Sequence, residues 1–272
     1  MLTVWQAVVL GTIQGLTEFL PVSSSGHLVI AQEIFGLRPP NAIAYDVLLH
    51  LGTLVAVVAY FRQELYEMTT ALFGAKGPIA EVRRRWIWLL ALATFPVVVI
   101  GLLFKDTVDQ AFQSPVWAGA GLLVTGTLLA YSNGKGAGGR EEAQVTVRDA
   151  LLIGSVQAVA LLPGVSRSGT TLFGGLAAGV ERTTVARFSF LMSIPAIVGA
   201  LVLNAKDVLA MASPDNMIPL VVGPAVAAVT GMLAIEILMR AVRKGTLMGF
   251  SVYCWTVGVL TLAWSVCGGL GS

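Results

Sequence analysis

Six stretches of the chain are apolar for long enough to cross a bilayer: about Asp46 to Phe61, Trp86 to Phe104, Val116 to Tyr131, Arg187 to Leu203, Ile218 to Met239 and Phe250 to Val266. A run of roughly 20 such residues, rising about 1.5 Å each as a helix, covers about 30 Å of hydrocarbon. Two more apolar stretches, Val4 to Leu20 and Ala150 to Leu162, behave differently. Each runs into a serine- and glycine-rich turn, VSSSG at Val22 to Gly26 and GVSRSG at Gly164 to Gly169, and a second short apolar piece follows. Neither flanking piece comfortably spans a membrane. Irregular backbone at membrane depth is tolerated only where protein or a wet cavity surrounds it, so each unit reads as a re-entrant helix, turn, helix hairpin.

Displacing the sequence by 143 residues lays Gly11 on Gly154, Gln14 on Gln157, Val22 on Val165, Ser23 on Ser166, Ser25 on Ser168 and Gly26 on Gly169. Leu48 then falls on Leu191 and Val55 on Val198. The chain therefore reads as a single membrane domain, 1–272, of two repeats, about 1–140 and 141–272. Each repeat holds one hairpin and three spans. Three is odd, so the second repeat enters from the opposite side of the membrane to the first. The expected fold is an all-α polytopic integral membrane protein, an inverted-topology repeat with six transmembrane helices and two re-entrant hairpins.

The basic residues test this topology. With the N-terminus outside, the inner loops hold Arg62, Lys76, Arg83, Arg84, Arg85, Lys135, Arg140, Arg148, Arg182, Arg187, Arg240, Arg243 and Lys244. The outer loops hold Arg38, Lys105 and Lys206, and Arg167 is left inside the second hairpin turn. Treating the hairpins as full spans would place several basic loops outside. Both termini are expected on the extracytoplasmic side.

Composition narrows the function classes. With 56% apolar and 12% charged residues, the chain has about half the charge of an ordinary soluble domain. A soluble enzyme, a disordered tail, a secreted disulfide scaffold and a nucleic-acid binder are excluded, and a net charge of +2 names no polyanionic partner. Cys254 and Cys267 both lie in the last apolar run and read as packing residues. The opening segment lacks a basic leader region and contains Glu18, unlike a cleaved signal peptide.

Two hairpins entering from opposite faces bring their tips together near the midplane. A helix starting there aims unpaired N–H groups and the positive end of its dipole at the tip, an arrangement that favours an anion. Ser23 to Gly26 and Ser166 to Gly169 each deliver such a start, with hydroxyls as extra donors. Arg167 adds a planar cation suited to two phosphate oxygens at once, and a charge at membrane depth is functional by default unless it only snorkels or neutralises Glu18. Gln14 and Glu18, four apart, share a helix face and could hold one cation, cap the helix, or pair with Arg167. His27, just after the serines, is a candidate base, nucleophile or proton donor. Glu236 with Arg240 reads as a structural pair, His50 as a helix-to-helix hydrogen bonder, and Gly175 with Gly179 as a close-packing device. These residues describe a membrane-embedded site for an anionic, phosphorylated ligand, and leave open whether it is cleaved or carried.

QGLTEFLPVSSSGH at Gln14 to His27 and PGVSRSGTT at Pro163 to Thr171 resemble the two signature motifs of the bacterial undecaprenyl pyrophosphate phosphatase family, the bacitracin-resistance proteins. The likeness extends to length, hydropathy and the repeat. It implies an enzyme of the bacterial inner membrane that removes the terminal phosphate of undecaprenyl pyrophosphate, recycling the lipid carrier for peptidoglycan and other envelope polymers. The site would open to the periplasm and use a divalent cation, Mg²⁺ or Ca²⁺. Carried onto this chain, Glu18 and Gln14 hold the metal, and Arg167 binds the diphosphate together with Ser23, Ser25, Gly26, Ser166, Ser168, Gly169 and Thr171. Ser24, activated by His27, attacks phosphorus, with direct attack by His27 as the rival. Some members carry Glu where Gln14 stands, so a two-carboxylate metal site is not implied. The partners expected are the lipid and the membrane, with a homodimer admitted and no nucleic acid. The alternative from another class is a transporter or flippase of a prenyl phosphate lipid, since inverted repeats with midplane hairpins are also a transporter plan.

Overall fold

The Thr3 hydroxyl accepts a hydrogen bond from Gln6 N, and the Gln6 carboxamide accepts one from Thr3 N, a reciprocal cap that starts α1, Val4–Phe19. At about 24 Å, α1 stops short of a bilayer's width. Pro21, which has no N–H to give, helps end it. Ser23 then turns the chain with φ 68°, the one non-glycine among the described residues in the left-handed region, and caps α2, Ser24–Phe35. The second hairpin repeats the plan. Thr146 and Asp149 make the same reciprocal cap for α8, Val147–Gln157; a tight helical turn, Ala158–Leu161, extends it to Pro163, and Ser166 caps α9, Arg167–Ala177. These elements belong to a computed structural model that describes residues 2–37, 41–211 and 217–267. Arg38, expected in an outer loop, and the residues at the chain's ends lie outside the described residues.

The spans are α3 (Asn41–Tyr60), α5 (Pro78–Leu103), α7 (Pro115–Ser132), α10 (Arg182–Leu203), α12 (Met217–Lys244) and α13 (Met248–Val266). Five of them are long and apolar enough to cross a membrane by themselves; α3, which carries Asp46 and His50, counts as the sixth together with α4, Arg62–Leu72, across a 77° bend. The protein is an all-α polytopic membrane protein. Two further short helices, α6 (Lys105–Ala111) and α11 (Ala205–Ala210), follow α5 and α10. The apolar-run reading missed α4, α6 and α11 because a span-length average smooths over a turn or two of mixed polarity. Four helices of the second half begin at or close to 143 residues after their counterparts: α8 after α1, α9 after α2, α10 after α3 and α11 after α4.

Small residues set the packing. α1 lies on α12 so closely that a Cβ on Gly11 would stand 2.4 Å from the Gly223 carbonyl oxygen. α8 lies on α5 in the same way, with Gly154 against the Ala93 carbonyl at 2.1 Å. Each hairpin thus leans on a long helix from the other half of the chain, as expected where backbones approach without large side chains between them. Gly175 does pack, against Val185, but Gly179 corrects the close-packing reading: with φ +81° and open space around it, it turns the chain after α9.

The basic loops share one end. Gly134 N donates to Gly245 O at 3.1 Å, Glu181 N to Arg140 O at 2.8 Å, and Arg85 Nη2 to Val145 O at 2.6 Å. Arg83 holds Glu67 of α4 and Glu142 of the α7–α8 loop. Lys105 of α6 and Asp207 of α11 lie near enough to each other at the opposite end for their charges to interact. Asp149 sits at the basic end. Burial alone would raise its carboxyl, but Arg140, at 2.7 and 2.8 Å, and the Thr146 N–H and hydroxyl outweigh that and hold it below the ordinary carboxylate range.

Candidate active site

The hairpin tips touch. A Cβ on Gly26 would lie 2.8 Å from Gly164 Cα, and the Ser168 hydroxyl donates to Leu20 O at 3.2 Å. The second tip is braced from α7, where Thr125 accepts from Ser166 N at 2.8 Å and donates to Gly164 O at 2.9 Å. The two turns are chemically alike. Ser23 accepts from Gly26 N at 3.3 Å and Ser166 from Gly169 N at 3.1 Å, and in each turn the two flanking hydroxyls, Ser23 with Ser25 and Ser166 with Ser168, stand 3.2 Å apart. One residue into each helix the pattern diverges, with Ser24 in the first and Arg167 in the second.

Glu18 joins the two. Its Oε1 takes a hydrogen bond from Arg167 Nη2 at 2.5 Å; its Oε2 takes one from Ser24 Oγ at 2.6 Å and one from Gln14 Nε2 at 3.2 Å. The guanidinium also donates to Ser189 O at 3.2 Å. Thr171, four residues on, donates to the Arg167 carbonyl at 2.9 Å and meets the Ser189 hydroxyl at 2.6 Å, steadying the turn that presents the arginine. A partly buried guanidinium and a buried carboxylate in contact restrain one another, and removing the guanidinium leaves the carboxylate desolvated without a counter-charge.

These groups wall a cavity of about 400 Å³. Glu18, Ser23, Ser24, Ser25, Ser166 and Arg167 line it. Gly26, Ser168, Gly169 and Thr171 do not; they build the tips. Gln14 stands fully buried behind Glu18. His27 is also absent from the lining, which corrects its expected pairing with Ser24. Three residues past Ser24 on α2, it turns to another face: its Nδ1–H donates to Ser23 O at 2.7 Å and its Nε2 meets the Tyr253 hydroxyl at 2.8 Å, the two rings stacked. A neutral imidazole so engaged keeps no free lone pair for a proton from Ser24. The group within reach of Ser24 is Glu18.

The cavity also holds residues that the sequence reading did not assign to the site: Asp46, His50, Lys105, Asp109 and Gln157. His50 donates from Nδ1 to Asp46 O at 2.6 Å, leaving Nε2 3.5 Å from Glu18 Oε2. Asp46 accepts from Gln32 of α2 at 2.5 Å. The signal was there, since Asp46 and His50 stand four apart in an apolar run and so share a face. Lys105 and Asp109, paired at 2.7 Å on α6, line the end of the cavity away from the basic loops. Between the polar tips and that end the wall is mostly aliphatic, with Val47, Val97, Leu161 and Ile197 among its residues.

The oxygen donors suit a hard divalent cation. Glu18 offers a carboxylate and Gln14 a buried carboxamide oxygen that has no hydrogen-bond partner. No group of three or more His, Cys, Asp or Glu residues gathers among the described residues. A carboxylate and a carboxamide are ligand types that such an ion takes beside water and substrate phosphate.

Residues 7–260 match the family described as bacitracin resistance protein BacA. The chain is 44% identical to an undecaprenyl-diphosphatase of Desulfatibacillum aliphaticivorans, over 94% of this chain and 97% of that protein. It is 40% identical to the undecaprenyl-diphosphatase of Carboxydothermus hydrogenoformans, over 97% and 98%. A third of the same name, from Methanobrevibacter smithii, is 38% identical over 96% and 97%.

Proposed function

The chain belongs to the bacitracin resistance protein BacA family, and from that premise we propose that it hydrolyses undecaprenyl pyrophosphate to undecaprenyl phosphate and inorganic phosphate. The observation that carries this reading is the Glu18–Arg167 pair where the hairpin tips meet, inside a cavity that is otherwise mostly apolar. The tips offer a guanidinium, capped helix starts and serine hydroxyls to a diphosphate, and the aliphatic wall suits the first prenyl units.

Arg167 and the two helix starts neutralise the phosphoryl oxygens and stabilise charge that grows on them and on the leaving group. Ser24 Oγ attacks the terminal phosphorus in line as its proton passes to Glu18 Oε2. The bond from phosphorus to the bridging oxygen breaks, and undecaprenyl phosphate departs with that oxygen. Water then adds to the phosphoserine, Glu18 returns its proton to Ser24 Oγ, and phosphate leaves. His27 holds the Ser23 carbonyl and thereby the turn that presents Ser24. Glu18 and Gln14 hold Mg²⁺ or Ca²⁺, which supplies further charge neutralisation on the phosphates.

The sidedness follows from the charges. Thirteen basic residues mark the cytoplasmic end, so the cavity end at Lys105 and Asp109 faces the periplasmic side of a bacterial inner membrane. The two repeats are of inverted topology, with both termini outside. The exposed apolar faces of α5, with Trp88 and Phe95, and of α13, with Val259 and Leu260, suit lipid and equally suit a homodimer.

The test is release of phosphate from undecaprenyl pyrophosphate by the purified protein in detergent, where no second compartment exists. Cation-dependent release is expected. Binding of the lipid without release would identify a carrier instead.

A further inference from the structure

Two buried side-chain atoms stand without a hydrogen-bond partner among the described residues, Gln14 Oε1 and Gln157 Oε1. They occupy equivalent places. Each lies on the first helix of its hairpin, nine residues before the serine that caps the second helix. Both residues are at most 1% exposed. Gln157 lines the same cavity as Glu18 and Arg167. Only Gln14 was read as a ligand from its spacing to Glu18; the repeat position of Gln157 has Leu161 where the first half has Glu18, so nothing in the local sequence marked it.

A desolvated amide oxygen without a donor is unfavourable and rare in a finished interior. What satisfies it has to be electropositive. Phosphate oxygens are acceptors and would repel it. The Arg167 guanidinium is turned to Glu18 and the Ser189 carbonyl, and the Ser166 and Ser168 hydroxyls face each other. A divalent cation fits, because hard cations take amide oxygens beside carboxylate, water and phosphate.

We infer that Gln157 is a ligand of the divalent cation, so that one ion is held from both hairpins, by Glu18 and Gln14 from the first and by Gln157 from the second. This rests on the cation-dependent reading above and extends it, since the ion then ties the two tips together as well as meeting the diphosphate. A carboxamide turned over to present Nε2 to phosphate is the competing arrangement, and it predicts a different loss.

The test is Mn²⁺ binding, followed by electron paramagnetic resonance, to the purified full-length protein with methylenediphosphonate as a non-hydrolysable diphosphate. Gln157→Leu keeps the bulk and removes the oxygen, and it should weaken Mn²⁺ binding by about tenfold or more. Gln157→Glu restores an oxygen ligand and should return the affinity to the wild-type value or better, with a metal-free melting temperature close to wild type. Unchanged Mn²⁺ affinity in Gln157→Leu overturns the inference and leaves the cation reading intact. Loss of diphosphonate affinity with Mn²⁺ affinity retained overturns it in favour of a phosphate contact. A wild-type protein that binds no Mn²⁺ removes the cation reading itself, and this inference with it.

Discussion

Glu18 and Arg167 are 149 residues apart in the chain and 2.5 Å apart in the fold. Each comes from a different hairpin tip, so their contact records that the tips have met. The same carboxylate holds the Ser24 hydroxyl through its other oxygen, which links Ser24, Glu18 and Arg167 in one connected set.

Arg167→Ala and Glu18→Ala should each lower phosphate release by about 100-fold or more, the scale of losing one transition-state contact. Because the two act on one another, the double variant should lose far less than the product of the single losses. Independent, multiplying losses measured in detergent would show that the pair is not a functional unit.

Ser24→Ala should lower turnover by at least about 100-fold, and a rapid quench of the wild type should trap phosphoserine at position 24. His27→Ala is expected to lose about as much through misplacement of the turn, since a shift of about 1 Å at a reacting group costs that order of rate. Its residual reaction should still pass through phosphoserine. A phosphohistidine in the wild-type quench would reverse the assignment.

Gly164→Ala should destabilise the protein by about 2 kcal/mol or more, because Gly164 has φ +85° and a Cβ there would lie 2.0 Å from the Ala118 carbonyl oxygen. The readout is the melting temperature in detergent. An unchanged value would mean that the second tip is not seated against α7.

Asp149 gives the pH prediction. Its carboxyl is held below the ordinary range in the fold, so the stability it contributes is fully present above the unfolded carboxylate pKa of about 4 and is lost as pH falls through the lower folded value. Asp149→Asn should therefore melt below wild type near pH 7, and the gap should narrow as pH drops into the acid range. A gap independent of pH would assign the difference to packing.

Chelation should stop phosphate release, and Mg²⁺ or Ca²⁺ should restore it. Undiminished release after exhaustive chelation would remove the cation from the reaction.

Much of this was legible before any coordinates. Apolar runs marked the six spans to within a few residues at most ends, because burial in hydrocarbon constrains every turn of a spanning helix. Gln14 and Glu18 share a face by their spacing, and the fold brings them within 3.2 Å. What failed was direction at a turn. His27 follows three serines in the chain, but the irregular dihedrals at Ser23 and a three-residue step along α2 carry it round to Tyr253. His50 was the reverse case. Its four-residue spacing from Asp46 marked a shared polar face, but only the packing of α3 against the first hairpin brings its ring to Glu18.

The exchange of supports, α1 against α12 and α8 against α5, has a consequence for how the protein is made. When the ribosome has delivered the first half, α1 has no α12 to lie against, and the loop bearing Ser23 and Ser24 has no second apex to abut. The nascent first half therefore waits in the membrane with its polar turn unsheltered until the penultimate long helix arrives, so biogenesis of this molecule is finished late and all at once rather than half by half.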